Sequence, residues 1–116
     1  MPELRIAKSF RYACRGLGHV FASELSFRLQ VLAGVAVIVL MMIFPLALWQ
    51  RVMLLVLIAS VLVLEVINTI FERIVDAFKP RIHPVVGEIK DMMAAAVLLA
   101  SLVSAIVGLL IFLPYV

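Results

Sequence analysis

The sequence predicts an all-α membrane protein, an N-terminal amphipathic surface helix followed by three transmembrane helices, and three observations carry that reading. Of the 116 residues, 66% are hydrophobic and the mean hydropathy is +1.26, well beyond the roughly half-apolar composition of soluble domains. The polar residues are gathered into three places: the first thirty positions, the pair Gln50-Arg51, and the stretch from Glu72 to Asp91. Between them lie Leu29 to Trp49, Val52 to Phe71 and Met92 to Leu113, each close to the roughly 20 residues that cross a hydrocarbon core. A single membrane domain over 1–116 follows, with a surface helix at 1–27, spans at 29–49, 52–71 and 92–113, and a connecting segment at 72–91. No repeat, low-complexity tract or linker divides it.

The first segment lacks the continuous apolar core of a cleaved signal peptide. At about 100° per residue, Ile6, Phe10, Ala13, Cys14, Leu17, Val20 and Phe21 fall in one sector of a helical wheel. Arg5, Lys8, Arg11, Tyr12, Arg15 and His19 fall in the opposite one. Such a helix lies in the headgroup plane, its basic side turned to anionic lipid or, through Arg5 and Lys8, to a phosphate group. Leu4 is off-pattern, and Gly16 and Gly18 weaken the middle enough to allow a bend. Cys14 is the only cysteine, which excludes an internal disulfide and leaves packing as its expected role. His19 and His83 stand apart from any partner with metal-ligand spacing and read as interfacial or loop residues.

In the first span Pro45 marks a bend near one end, and Trp49 beside Gln50 has the character of an interfacial anchor. The second span carries Glu65, Asn68 and Glu72 at helical spacings of three and four, which place them on one face. An acid in a membrane-length segment costs about 2.5 to 3.5 kcal/mol at mid-bilayer, so its presence calls for a function. In the third span Ala96, Ala100, Ser104 and Gly108 recur every fourth residue and form a stripe along which another helix can approach closely.

Basic residues set the orientation. Arg5, Lys8, Arg11, Arg15 and Arg28 precede the first span, and Arg73, Lys79, Arg81 and Lys90 lie between the second and third, against Arg51 alone on the other side. The N-terminus and the 72–91 segment are therefore expected on the cytoplasmic side and the C-terminus on the outer side. The net charge of +3 reads as topology and phosphate handling, and no nucleic-acid-binding motif is present.

Phosphoryl transfer from ATP needs metal-holding oxygens, cations near the phosphates, and a group that orients or deprotonates the attacking hydroxyl. Glu24, Glu72, Asp76 and Asp91 are hard oxygen donors of the kind Mg²⁺ prefers, and Lys90, Arg5 and Lys8 supply positive charge. Glu65, deepest in the span, is placed to act as base toward a hydroxyl that stays in the bilayer. The GxxxxGK[ST], GxGxxG, HRD and DFG signatures are all missing, so a nucleotide site must be built from helix ends. Two other readings stand beside this one. Glu65 and Asn68 serve as polar glue between helices in a bundle without enzymatic activity, or Glu65 is the carrier carboxylate of a small proton- or cation-coupled transporter. A transporter has no need of Glu72, Asp76, Lys90 and Asp91 gathered at one mouth.

The string Glu65-Val-Ile-Asn68-Thr69-Ile-Phe-Glu72-Arg-Ile-Val-Asp76, then His83-Pro84 and Lys90-Asp91-Met-Met-Ala-Ala-Ala-Val97, resembles the bacterial integral-membrane diacylglycerol kinase and undecaprenol kinase family. The likeness extends to Ser9-Phe-Arg-Tyr12-Ala-Cys-Arg-Gly16, to Glu24-Leu-Ser-Phe27-Arg28 and to the Ile111-Phe-Leu-Pro-Tyr ending, and so covers nearly the whole chain. The resemblance implies a homotrimer in the bacterial inner membrane, with active sites shared between protomers, that moves the γ-phosphate of MgATP to a lipid hydroxyl. It further implies Glu65 as catalytic base, Glu24 and Glu72 as metal-holding carboxylates and Asn68 as site organiser. Lys90, Asp91, Asp76, Arg5 and Tyr12 match nucleotide-side or supporting positions. Gln30, where diacylglycerol-type members tend to have an acid, and His83-Pro84 lean toward undecaprenol over diacylglycerol as acceptor. Glu88, where the undecaprenol branch usually has a basic residue, and Ile70-Phe71, in place of a small-then-aliphatic pair, depart from the pattern.

Overall fold

The computed structural model describes residues 2–78 and 84–116. Four helices follow in order, α1 (Pro2–Ser23), α2 (Leu25–Ile43), α3 (Leu48–Ala77) and α4 (Pro84–Phe112), and a 3₁₀ turn over Leu113–Tyr115 closes the chain. Lys79, Arg81 and His83, which entered the charge and motif readings, lie outside the described residues.

α1 runs as one continuous helix through Gly16 and Gly18. It meets α2 and α3 at its C-terminal end, where Val20 is buried and Phe21 packs edge-on against Phe27. Toward its start both sides of the helix are exposed, including Leu4, Ile6 and Phe10. Cys14, expected to pack, is exposed as well. The surface helix is also shorter than the 1–27 segment expected: Glu24 is a non-helical corner, and Leu25 to Arg28 already belong to α2.

α2, α3 and α4 are each long and apolar enough to cross a membrane. The first expected span, 29–49, is cut short because the chain leaves the helix at Ile43. The break falls at Phe44–Ala47 and not at the Gln50-Arg51 pair. Proline disfavours helical geometry in the residue before it, and Phe44 is extended at φ −93°, ψ 145°. Gln50 and Arg51 instead lie in the first turn of α3 and finish the turn. Gln50 Oε1 accepts the Ala47 N–H at 2.9 Å. The Arg51 guanidinium donates to the carbonyls of Met41 at 2.7 Å, Leu46 at 3.2 Å and Phe44 at 3.3 Å. The Met41 carbonyl in the last turn of α2, and the turn carbonyls of Phe44 and Leu46, thus meet a cation, the charge a helix end of this kind attracts.

α3 has 30 residues, about 45 Å of helix against a hydrocarbon core of about 30 Å, so it overshoots the 52–71 span and continues to Ala77. α4 likewise begins at Pro84, a residue type suited to a first helical position, about two turns before the expected 92–113 span. The 72–91 segment is therefore largely helix among the described residues, and Asp91 sits well inside α4 and not at its start.

α3 is the central helix, packing against α4 on one side and α2 on the other. Near the turn the three helices close over Met41, Leu46, Leu54 and Ile111, with Phe44 against the rings of Phe112 and Tyr115. Gly34 lets α2 approach α3, since a Cβ there would stand 3.0 Å from Ile58 Cγ2. Farther along, α2 and α4 diverge and leave a mostly apolar cavity of about 300 Å³ floored by Leu57, Ile58 and Val61. Ser104 and Gly108 of the small-residue stripe line this space, and a Cβ at Gly108 would meet nothing within 4 Å. All four stripe residues are half-buried on α4, which packs against α3, and the Ser104–Gly108 part also borders this opening.

Candidate active site

The acidic row of α3 begins beyond that cavity. Glu65 is 5% exposed and Thr69 3%, the two buried polar residues among those described. Thr69 turns its hydroxyl back onto the Glu65 carbonyl at 3.0 Å, as threonine in a helix commonly does when no outside partner competes. Asn68 donates from Nδ2 to Glu72 Oε1 at 3.2 Å, a contact one turn along the same helix. Its Oδ1 is buried with no hydrogen-bond partner. A buried acceptor left unpaired costs about 1–3 kcal/mol, so this orientation does not serve stability.

Across from α3, Gln30 of α2 lies beside the Glu65 side chain, and the Glu24 and Glu72 carboxylates lie within electrostatic reach of it. Gln30 Nε2 donates to Ser101 Oγ of α4 at 3.1 Å, so one amide ties α2 to α4 at the wall of the cavity, next to Glu65 of α3. Glu24, half-buried between α1 and α2, uses its side chain for no capping bond. Glu24 and Glu72 thus come within electrostatic range of Glu65, and Asn68 contacts Glu72. Gln30 was noticeable in the sequence as an amide just inside an apolar run. Its bond to Ser101, far away in the chain, had no local signal.

A second pairing lies toward the end of α3, where Lys90 Nζ stands 3.2 Å from Asp76 Oδ1 and ties α4 to α3. Asp91 is exposed. Arg5, Lys8 and Tyr12 are not brought to the acids. All three are exposed on α1, Tyr12 lies under the Arg15 guanidinium at 5.6 Å, and Arg5 and Lys8 make no ion pair among the described residues.

Among the described residues no three acidic, cysteine or histidine side chains gather into a closed metal cage. Magnesium is ordinarily held by one or two carboxylates plus water and phosphate oxygens, and two acids beside a buried acidic residue, Glu24 with its carboxylate uncommitted, fit that donor set.

The model of the prokaryotic diacylglycerol kinase family matches residues 11–112. Undecaprenol kinase of Bacillus subtilis (strain 168) is 34% identical over 110 residues, 95% of this chain and 89% of that protein. Diacylglycerol kinase of Synechocystis sp. is 36% identical over 114 residues, 97% of this chain and 64% of the other. Diacylglycerol kinase of Escherichia coli (strain K12) is 34% identical over 108 residues, 88% of this chain and 84% of that one. Three apolar helices with one buried acid, and relatives of this kind, define a membrane lipid kinase. More narrowly, the chain belongs to the prokaryotic diacylglycerol kinase family.

Proposed function

We propose that the protein transfers the γ-phosphate of MgATP to the hydroxyl of a membrane lipid alcohol at the cytoplasmic face, with undecaprenol favoured over diacylglycerol. The observation that carries this is the set of polar groups toward the α1–α2 corner: Glu65 buried with the Glu24 and Glu72 carboxylates in electrostatic range, Asn68 Oδ1 unpaired among the described residues, and Glu24 making no capping bond. Polar groups kept only as glue would bond across helices, whereas Asn68 and Thr69 bond within their own.

Glu65 acts as base. It sits at the apolar boundary, where a lipid hydroxyl can arrive without leaving the bilayer, and accepts the proton as that oxygen attacks phosphorus. Gln30 and Asn68 hold the neighbouring acids in register. Glu24 and Glu72 would hold the magnesium, which when bound neutralises charge on the phosphates of ATP. Lys90, steadied by Asp76, places positive charge on the nucleotide side, with Asp91 beside it on α4. Arg5, Lys8 and Tyr12 join the nucleotide side when α1 lies along the membrane surface, basic sector outward. The basic residues before α2 and around the α3–α4 connection favour a cytoplasmic N-terminus in the inner membrane, with the C-terminus outside. Assembly as a homotrimer with shared sites completes the reading and accounts for the amount of apolar surface on α4 that this chain leaves uncovered.

The test is transfer of labelled phosphate from ATP by the purified protein, with undecaprenol and diacylglycerol offered side by side in mixed micelles. Label in both lipids, greater in phosphorylated undecaprenol, is expected. Label in neither lipid, together with pH-driven solute uptake into vesicles without ATP, would replace the kinase by a transporter.

A further inference from the structure

The corner between α1 and α2 is held by more contacts than a one-residue connection requires. Like every helix, α1 ends with carbonyls that lack partners within it. Two of them, on Phe21 and Ala22, accept hydrogen bonds from the Arg28 guanidinium at 2.9 and 3.0 Å. Arg28 lies in the first turn of α2, so its side chain folds back over the corner and meets the helix end with the charge that end attracts. Ser23 donates its hydroxyl to the His19 carbonyl at 2.8 Å, and the same oxygen accepts from Arg73 of α3 at 2.6 Å. Phe27 and Val20 are buried beneath, with the Phe21 ring edge-on to Phe27 at 6.5 Å.

At the centre of these contacts is Glu24, with φ −116° and ψ 111°. That is the backbone of a helix N-cap, where an acid ordinarily accepts an N–H of the following turn. Here the carboxylate caps nothing. The contacts go to the neighbours of Glu24 and leave its side chain available. Ser23 precedes Glu24 and Arg73 follows Glu72, so the Arg73–Ser23 bond ties the segment carrying one acid directly to the segment carrying the other.

We propose that Arg28 and Arg73 are positioning residues that set the separation between the Glu24 and Glu72 carboxylates, Arg28 by fixing the backbone of the corner and Arg73 by fixing the corner to α3. This deepens, and rests on, the reading of Glu24 and Glu72 as the carboxylates that hold magnesium. Neither arginine touches nucleotide or lipid in this role. A small divalent cation demands near-ideal oxygen geometry, so two acids on separate helices serve it only if their backbones are held in register. Partners that orient metal-holding side chains typically change affinity by about 10- to 100-fold when removed. The Arg73–Ser23 bond is exposed, so its loss should act on geometry far more than on stability.

The experiment uses the full chain in detergent micelles. Binding of Mn²⁺ in the presence of a non-hydrolysable ATP analogue is followed by electron paramagnetic resonance, and the Mg²⁺, lipid and ATP dependences of turnover are measured on the same samples. Arg73→Met and Ser23→Ala are each expected to weaken Mn²⁺ binding and raise the Mg²⁺ requirement about tenfold, leaving the lipid KM unchanged, and Arg73→Lys should recover most of the loss. Ser23→Ala removes one exposed hydroxyl and decides the matter if Arg73→Met does not fold. Glu24→Gln and Glu72→Gln run alongside. If they weaken Mn²⁺ binding while the Arg73 and Ser23 variants match the wild type, the positioning role is overturned and the carboxylate assignment stands. If the carboxylate variants also bind Mn²⁺ normally, both fall. A uniform loss across metal, lipid and kcat that Arg73→Lys does not restore also overturns the positioning role, because it marks a merely structural contact.

Discussion

At the α2–α3 turn, Arg51 spends its guanidinium on the carbonyls of Met41, Phe44 and Leu46, Gln50 caps the Ala47 N–H and accepts from Tyr115 Oη at 3.3 Å, and aromatic rings close over the rest. Toward the α1–α2 corner, by contrast, Asn68 keeps a buried oxygen unpaired among the described residues, Glu24 caps nothing, and Glu65 is buried with two other acids in electrostatic range. Both ends place charged or amide groups next to apolar helices. One end consumes them in finishing backbone; the other spends Arg28 the same way, on the Phe21 and Ala22 carbonyls, but leaves acids and an amide oxygen over. Polarity in a membrane segment does not separate structure from chemistry by itself. The separation comes from asking which hydrogen-bonding capacity remains after the local backbone has taken its share.

Five substitutions sharpen or break that contrast. Glu65→Gln keeps shape and removes the base, so lipid-dependent ATP turnover should fall about 10²- to 10⁴-fold while the thermal midpoint barely moves. Full turnover in that variant would remove Glu65 from the reaction. Arg51→Met should do the opposite. Three carbonyls lose a charged donor, stability falls by about 1–3 kcal/mol in a denaturation series, and kcat per folded molecule holds. A loss of kcat without a loss of stability would mean that the turn end also takes part in catalysis. Glu24→Gln and Glu72→Gln are expected to raise the Mg²⁺ requirement about tenfold and the lipid requirement little, read from paired titrations. The smallest stability effect belongs to Lys90→Met. Its ion pair with Asp76 is partly exposed and worth no more than about 1 kcal/mol, yet the KM for ATP should rise if Lys90 serves the nucleotide. An unchanged KM would leave Lys90 as an α3–α4 tie only.

The helical architecture and much of the candidate site were legible because both are local. Three apolar runs of membrane length give three crossing helices, and the spacing of Glu65, Asn68 and Glu72 puts them on one face by helical geometry alone. The end of the first span was misplaced because Gln50 and Arg51 look like a polar loop, whereas Pro45 forces the break earlier and the polar pair caps it. The corner contacts of Arg28 and Arg73, and the Gln30–Ser101 bridge, were not legible, since they join residues on different helices that no sequence period relates. Arg73 in particular counted only as a topology charge. Cys14 shows the reverse failure: it looked made for packing, and it is exposed.

Asn68 separates glue from chemistry most directly, because its oxygen and Ser104 Oγ are the buried side-chain polar atoms without a partner among the described residues, and only Asn68 stands in the acidic row. Asn68→Leu removes that oxygen and its bond to Glu72 while filling similar space, and the decisive measurement is the thermal midpoint of this variant with lipid-dependent turnover read on the same sample. A midpoint equal to or above wild type with turnover lost is the expected result, since relieving an unpaired buried acceptor stabilises while disorganising the acids beside it. A midpoint lowered by several degrees with turnover retained would make Asn68 a structural residue and contradict the assignment of these groups to phosphoryl transfer.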